Sequence, residues 1–222
     1  MRGVIFDLDG TLLDSMPMWH ELDKRFLRVH GIEPPPDVTQ AVRDMTAEEA
    51  AAYYAVRFPL SMSPAEILAE CEDMAAEEYR RHLQLKPGAA EFLHGLAARG
   101  IPFGLASVTY RRLLEAALER LRIRSLFRFI LTPDDGLRGK AFPDLYLRGA
   151  ALLRAAPEDC AVIEDALYAA KTAKHAGFYT VGFRDASADA DWDELCAVCD
   201  RTAAHWAELN SPAFFSEFQD GS

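Results

Sequence analysis

The sequence predicts an α/β fold: a parallel sheet covered by helices, interrupted after its first strand by an all-helical block. Three observations lead there. Beyond residue 87, short apolar runs alternate with amphipathic helical stretches. That is the pattern of βαβ units, whose parallel strands are buried on both faces. Between Ser15 and Lys86, by contrast, about 70 residues show helical spacing and no strand pattern. Finally, four of the apolar runs stop at residues able to do chemistry, namely Asp7, Ser107, Thr132 and Glu164-Asp165. Open α/β sheets bind ligands beyond the carboxyl ends of their strands, so these groups are predicted to share one edge.

Val4 to Phe6 forms the first buried strand and ends abruptly at Asp7-Leu8-Asp9-Gly10-Thr11. On an extended backbone, side chains two apart point to one side, so Asp7 and Asp9 can face a common point. Two close carboxylates repel unless a cation or proton lies between them. The next helix runs from Met18 to His30, with Trp19, Leu22, Phe26 and Val29 on its apolar face. Gly31 suits its end, and Pro34-Pro35-Pro36 breaks the chain. Thr46 and Glu49 have capping-box spacing and open a helix to Arg57 that faces inward with Ala50, Tyr54 and Phe58. Ser63-Pro64-Ala65-Glu66 is a second box, opening a helix to Leu83 with Ile67, Cys71, Met74 and Tyr79 inside. The two crossings, Leu13 to Pro17 and Gln84 to Gly88, read as a double hinge, and a block that follows directly on a chemical motif reads as a lid.

The core then resumes. Helices are predicted at Glu91 to Arg99, Arg111 to Leu121, Pro143 to Leu153, Ala166 to Ala176, Asp191 to Leu195 and Thr202 to Leu209. Strands are predicted at Phe103 to Ala106, Phe129 to Leu131, Ala161 to Ile163, Tyr179 to Gly182 and Ala197 to Cys199. Phe214, Phe215 and Phe218 are expected in a terminal turn packed on the domain.

The 222 residues suffice for one large domain or a domain plus a small one. A net charge of −11 argues against nucleic acid as a partner. It permits a small anionic substrate if a metal supplies local positive charge. The Arg-rich stretch from Arg111 to Arg154 reads as solvated helix faces. Cys71, Cys160, Cys196 and Cys199 form no disulfide framework, which suits a reducing, cytoplasmic location. Cys196 and Cys199 have half-site spacing, but no second ligand pair accompanies them, so packing is the expected role. No signal peptide and no membrane-length apolar run are visible, so no membrane partner is expected.

The string Asp7-Leu-Asp-Gly-Thr-Leu-Leu-Asp14 resembles motif I of the haloacid dehalogenase (HAD) superfamily. Leu105-Ala-Ser107-Val108-Thr109 resembles motif II, Gly139-Lys140-Ala-Phe-Pro-Asp-Leu-Tyr146 motif III, and Val162-Ile-Glu164-Asp165-Ala166 motif IV. Ala141 and Ala166 depart from the usual Pro and Ser or Thr. The resemblance implies a Rossmann-like core, residues 1–15 and 87–222, with a helical C1 cap at 16–86. It implies a Mg²⁺-dependent phosphatase of small phosphomonoesters. Asp7 would be the nucleophile and Asp9 the general acid and base. Ser107, Val108 and Lys140 would bind phosphate. Asp7, the Asp9 backbone carbonyl, Glu164 and Asp165 would hold or orient the metal. The implied partner is a small phosphorylated metabolite, acted on by a monomer, a dimer being the alternative.

Named residues weigh against other readings. A dehalogenase or phosphonate hydrolase of this superfamily would lack the acid at Asp9. A P-loop kinase would need a motif that Gly136-Leu-Arg-Gly139-Lys140 does not match. A non-catalytic phosphate-binding relative would be expected to have lost an Asp or the lysine. The near rival, a β-phosphoglucomutase, needs a second phosphate site in its cap, for which Arg43, Arg25 and Arg28 are candidates. Where the mutase's first cap helix presents a His, this chain has Trp19, with His20 beside it.

Overall fold

The structure is a computed structural model and describes residues 1–42, 45 and 47–218. Those residues form two compact units, Met1–Asp14 with Leu83–Ser222, and Ser15–His82.

The first unit is built on six parallel strands: β1 (Gly3–Phe6), β2 (Phe103–Ala106), β3 (Ile130–Leu131), β4 (Cys160–Glu164), β5 (Tyr179–Phe183) and β6 (Arg201–Ala203). Their order in the sheet is β3-β2-β1-β4-β5-β6. Chain order therefore reverses between β1 and β4, where Phe6 pairs with Ile163, the switch point beyond whose strand ends open α/β sheets bind ligands.

Alternation along β1 decides its packing. Ile5 faces a core shared with Ala106, Leu145, Tyr146, Ala150, Val162 and Phe178. Phe6 points the other way, edge-on to Phe92 (6.1 Å) and Phe103 (5.7 Å), with Trp206 at 6.0 Å. Gly104 of β2 admits the Phe129 ring, which a Cβ there would overlap. The terminal aromatics pack as expected, with Phe214, Phe215 and Phe218 all buried.

The last strand is a correction. The apolar run Ala197 to Cys199 was expected as strand, but Trp192–Val198 is helical and the strand is Arg201–Ala203. Leu195 buries one face of that helix, and Asp200 starts the strand by accepting bonds from the Thr180 N–H (2.8 Å) and hydroxyl (3.1 Å). The helix expected from Thr202 shrinks to Trp206–Leu209, because Thr202 and Ala203 are spent on pairing with Gly182 and Phe183.

The two crossings are tied together inside this unit. The Asp14 N–H donates to Gln84 O (2.9 Å) and the Lys86 N–H to Leu12 O (2.8 Å), with Leu13 bridged antiparallel to Leu85. Residues 83 to 86 therefore belong with the sheet. The Lys86 ammonium is engaged by Asp185 at 2.6 Å.

Among its described residues the second unit contains four helices, α1 (Met16–Val29), α2 (Val38–Val42), α3 (Ala47–Arg57) and α4 (Pro64–Arg81). The Ser63 box forms: Glu66 N–H donates to Ser63 Oγ (3.3 Å) and Ser63 N–H to Glu66 Oε2 (2.8 Å). Phe26, Leu27, Tyr54, Phe58 and Ile67 share one core, with Phe26 stacked on Tyr54 at 6.2 Å. Val29, expected on the inner face, is 68% exposed, because adjacent Phe26 and Leu27 centre the buried stripe a residue away from the face drawn through Val29. The Thr46 cap and Arg43 lie outside the described residues.

Candidate active site

All six strands run parallel, so the residues just past β1, β2 and β4 meet at one edge of the sheet. Asp7 is the first residue beyond β1, and its N–H donates to Ile163 O of β4 at 3.0 Å. That bond carries β1–β4 pairing one residue past the strand and fixes the Asp7 backbone. Glu164 ends β4 and Asp165 follows it. Asp7, Glu164 and Asp165 each offer a carboxylate oxygen within 4.8 Å of the others, all three residues being buried.

Lys140 enters this group from the loop between β3 and the helix Asp144–Leu153 of the sheet unit. Its side chain is 3% exposed, and its ammonium contacts both Asp7 Oδ1 and Glu164 Oε1. Burial opposes that charge, yet the carboxylates of Asp7 and Glu164 hold the ammonium well above its usual range. Burial pushes the Glu164 carboxyl up to about 7, with Lys140 opposing and Asp7 adding to the rise. Burial, then Asp7 and Glu164, raise Asp165 as well. A charge imbalance adds to burial: three buried carboxylates are grouped with one ammonium.

The residues fit a hard divalent cation. Their donors are all oxygen, the chemistry Mg²⁺ selects. Glu164 Oε2 is buried without a hydrogen-bond partner among the described residues. An anionic oxygen in that state is costly unless something positive faces it. Cys196 and Cys199 hold no comparable group: Cys196 is exposed on its helix, and burial pushes the Cys199 thiol up to about 11.

Ser107 follows β2, is buried, and its Oγ accepts the Thr109 N–H at 3.0 Å. That occupies an acceptor site and leaves the hydroxyl proton available to donate. Val108 between them is 46% exposed. Asp9 is not one of the three grouped carboxylates, and its Oδ2 accepts the Thr109 hydroxyl at 2.7 Å. Thr132 is not brought in either: its hydroxyl lies 3.1 Å from Asp134 and 3.4 Å from Asp135, its N–H donates to Asp135 at 2.8 Å, and it caps its own turn. In the Arg-rich stretch, Arg111 and Arg124 are paired with Asp135 (2.8 Å) and Glu115 (2.5 Å).

Three hydroxyls that sequence reasoning passed over complete the arrangement. Thr11 donates to Asp165 Oδ1 (2.9 Å), Tyr146 to Glu164 Oε1 (2.7 Å) and Thr109 to Asp9. Each lies inside a string already singled out. The available signal was a hydroxyl two to six residues from a reactive group.

Comparison with known proteins identifies the family. Residues 1–177 match the family described as haloacid dehalogenase-like hydrolase. The chain is 33% identical over 211 residues to validoxylamine A 7′-phosphate phosphatase of Streptomyces hygroscopicus subsp. limoneus, covering 94% of this chain and 98% of that protein. It is 30% identical to β-phosphoglucomutase of Bacillus subtilis, covering 82% and 83%. A crystal structure of a HAD hydrolase, family IA, variant 3, from Entamoeba histolytica has the same fold, with a TM-score of 0.80 at 20% identity over 96% of this chain and 97% of that one. A family match across most of the sheet unit, over strands that deliver Asp7, Ser107 and Glu164-Asp165 to one edge and the loop that carries Lys140, makes this chain a member of the haloacid dehalogenase-like hydrolases.

Proposed function

We propose that the protein is a phosphatase that hydrolyses small phosphorylated metabolites of the sugar phosphate class through a phosphorylated Asp7. The observation that carries the reading is Lys140, buried and shared between Asp7 and Glu164 within an all-oxygen acidic group. The phosphatase relative, similar over nearly its whole length, supports it.

The Asp7, Glu164 and Asp165 side chains, with the Asp9 carbonyl, would hold Mg²⁺. When bound, the ion offsets the charge repulsion between a carboxylate and a phosphate ester. Asp7 attacks phosphorus as the P–O bond to the leaving group breaks, giving an aspartyl-phosphate. Asp9 donates its proton to the departing oxygen, which leaves as an alcohol. Asp9, now a carboxylate, takes a proton from water as that water attacks phosphorus. Phosphate departs, and Asp7 and protonated Asp9 are restored. The Ser107 hydroxyl and backbone N–H groups near Val108 donate to the phosphoryl oxygens. Lys140 offsets the charge that develops on them.

The helical unit is read as a C1 cap whose side chains select the substrate. Water is read as the acceptor in preference to a second sugar hydroxyl. In support, the Trp19 indole N–H is committed to the Tyr79 hydroxyl at 3.2 Å. The cytoplasm and a monomeric state complete the proposal; among the described residues no helix is long and apolar enough to cross a membrane.

The test is release of phosphate from p-nitrophenyl phosphate and a panel of phosphorylated metabolites, with and without Mg²⁺. Mg²⁺-dependent release is expected. No release from any ester by folded protein would overturn the reading.

A further inference from the structure

We propose that Thr109 is a positioning residue for the reaction, joining the Ser107 hydroxyl to the Asp9 carboxylate so that phosphoryl binding and proton transfer stay in register. The inference deepens the phosphatase reading and rests on it.

Thr109 touches both groups by different atoms. Its backbone N–H donates to Ser107 Oγ at 3.0 Å, and its side-chain hydroxyl donates to Asp9 Oδ2 at 2.7 Å. It is itself nearly buried, at 9% exposure, between exposed Val108 and Tyr110. So its side chain turns inward where its neighbours turn out. The pairing of β1 with β2, Phe6 opposite Leu105, brings the two loops side by side.

The Asp9 backbone is bridged to Leu13 in the tight turn that Gly10 opens at φ 85°, and the Thr109 hydroxyl adds a hold on its side chain. Lys140, Tyr146 and Thr11 engage Asp7, Glu164 and Asp165, and the Thr109 hydroxyl engages Asp9. Thr109 is β-branched and stiff at χ1, so a hydroxyl carried on it holds a fixed direction. A group that must give a proton to a leaving oxygen and then take one from water works only if its carboxyl keeps its place through both steps. Because the Ser107 contact uses the backbone of Thr109, replacing the side chain separates the two functions. Ser107 keeps its donor, and Asp9 loses this hydrogen bond.

The experiment compares wild type, Thr109→Val, Thr109→Ser, Asp9→Asn and the Asp9→Asn/Thr109→Val double variant by steady-state kinetics on p-nitrophenyl phosphate with saturating Mg²⁺. Circular dichroism melts verify folding. Thr109→Val should lower kcat about tenfold, a part of what acid–base catalysis contributes, with KM little changed. Thr109→Ser should recover most of the loss. On the Asp9→Asn background, Thr109→Val should cost nothing further, since coupled residues are non-additive. A wild-type kcat in Thr109→Val, a change confined to KM, or an equal loss on both backgrounds would overturn the proposal. If Thr109→Val does not fold, Thr109→Ala carries the same comparison. An inactive wild type would overturn the phosphatase reading itself, whereas an active wild type with an indifferent Thr109 overturns only this inference.

Discussion

Replacing Lys140 by Met keeps a side chain of similar length and removes its charge. The Lys140 side chain is 3% exposed and its ammonium faces Asp7 and Glu164, whose side chains are 7% and 1% exposed. Removing one partner of a buried ion pair leaves an uncompensated charge and typically costs about 3–5 kcal/mol. In a chain of this size each kcal/mol moves the melting temperature by about 2–4 °C, so the metal-free variant should melt on the order of 6–20 °C below wild type. Two effects should moderate the loss. Without Lys140 the Glu164 carboxyl, already up at about 7, should rise further and take up a proton. Added Mg²⁺ should also face the orphaned oxygens and recover part of the stability. Activity should not recover in step, because loss of one donor at a developing charge costs about 10² to 10³ in kcat. The assay is a thermal melt in EDTA and in excess Mg²⁺, paired with steady-state kinetics. A variant that melts with wild type in EDTA and turns over normally would refute the reasoning.

Further outcomes follow from the same charges. Asp165→Ala should raise the half-saturating Mg²⁺ concentration at least about tenfold, a ligand-type loss, whereas Asp189→Ala, an exposed residue paired with Arg184 at 2.9 Å, should leave it unchanged. The pH dependence of the metal-free protein has a definite sign: Glu164 titrates near 7 when folded against about 4.5 ordinarily, so the folded state binds more protons between those values. Its contribution to stability is present below about 4.5 and lost as pH rises through about 7. Melts in EDTA should fall across that window, Glu164→Gln should flatten the fall, and a slope unchanged in Glu164→Gln would contradict the assignment. With β-glucose 1-phosphate, a trace of glucose 1,6-bisphosphate and Mg²⁺, free phosphate should appear; rapid glucose 6-phosphate with little phosphate would indicate a mutase.

Much of the sheet unit was legible because parallel strands buried on both faces write themselves as uniform apolar runs. Val4-Ile-Phe6 and Phe103 to Ala106 could be bounded almost to the residue, and with them the positions of Asp7 and Ser107. The edge strand Arg201–Ala203 was not legible, since an edge needs little apolar character, while the apolar Ala197-Val198 belonged to a helix that packs by Leu195. Short α2 has too few residues to show a period. In the site, charged residues at strand ends announced themselves. The hydroxyls of Thr11, Thr109 and Tyr146 did not, because a threonine or tyrosine near a motif reads the same whether it props a carboxylate or fills space. Thr132 shows the converse, a strand-end hydroxyl spent on its own turn.

The central claim is that Asp7 carries the phosphoryl group between substrate and water. The direct measurement is acid quench of the enzyme during turnover with Mg²⁺, followed by peptide mass spectrometry. The account predicts one phosphoryl group on Asp7, absent in a folded Asp7→Asn protein that releases no phosphate. Steady phosphate release with no label at Asp7, with the label on Ser107 instead, or undiminished in Asp7→Asn would contradict it.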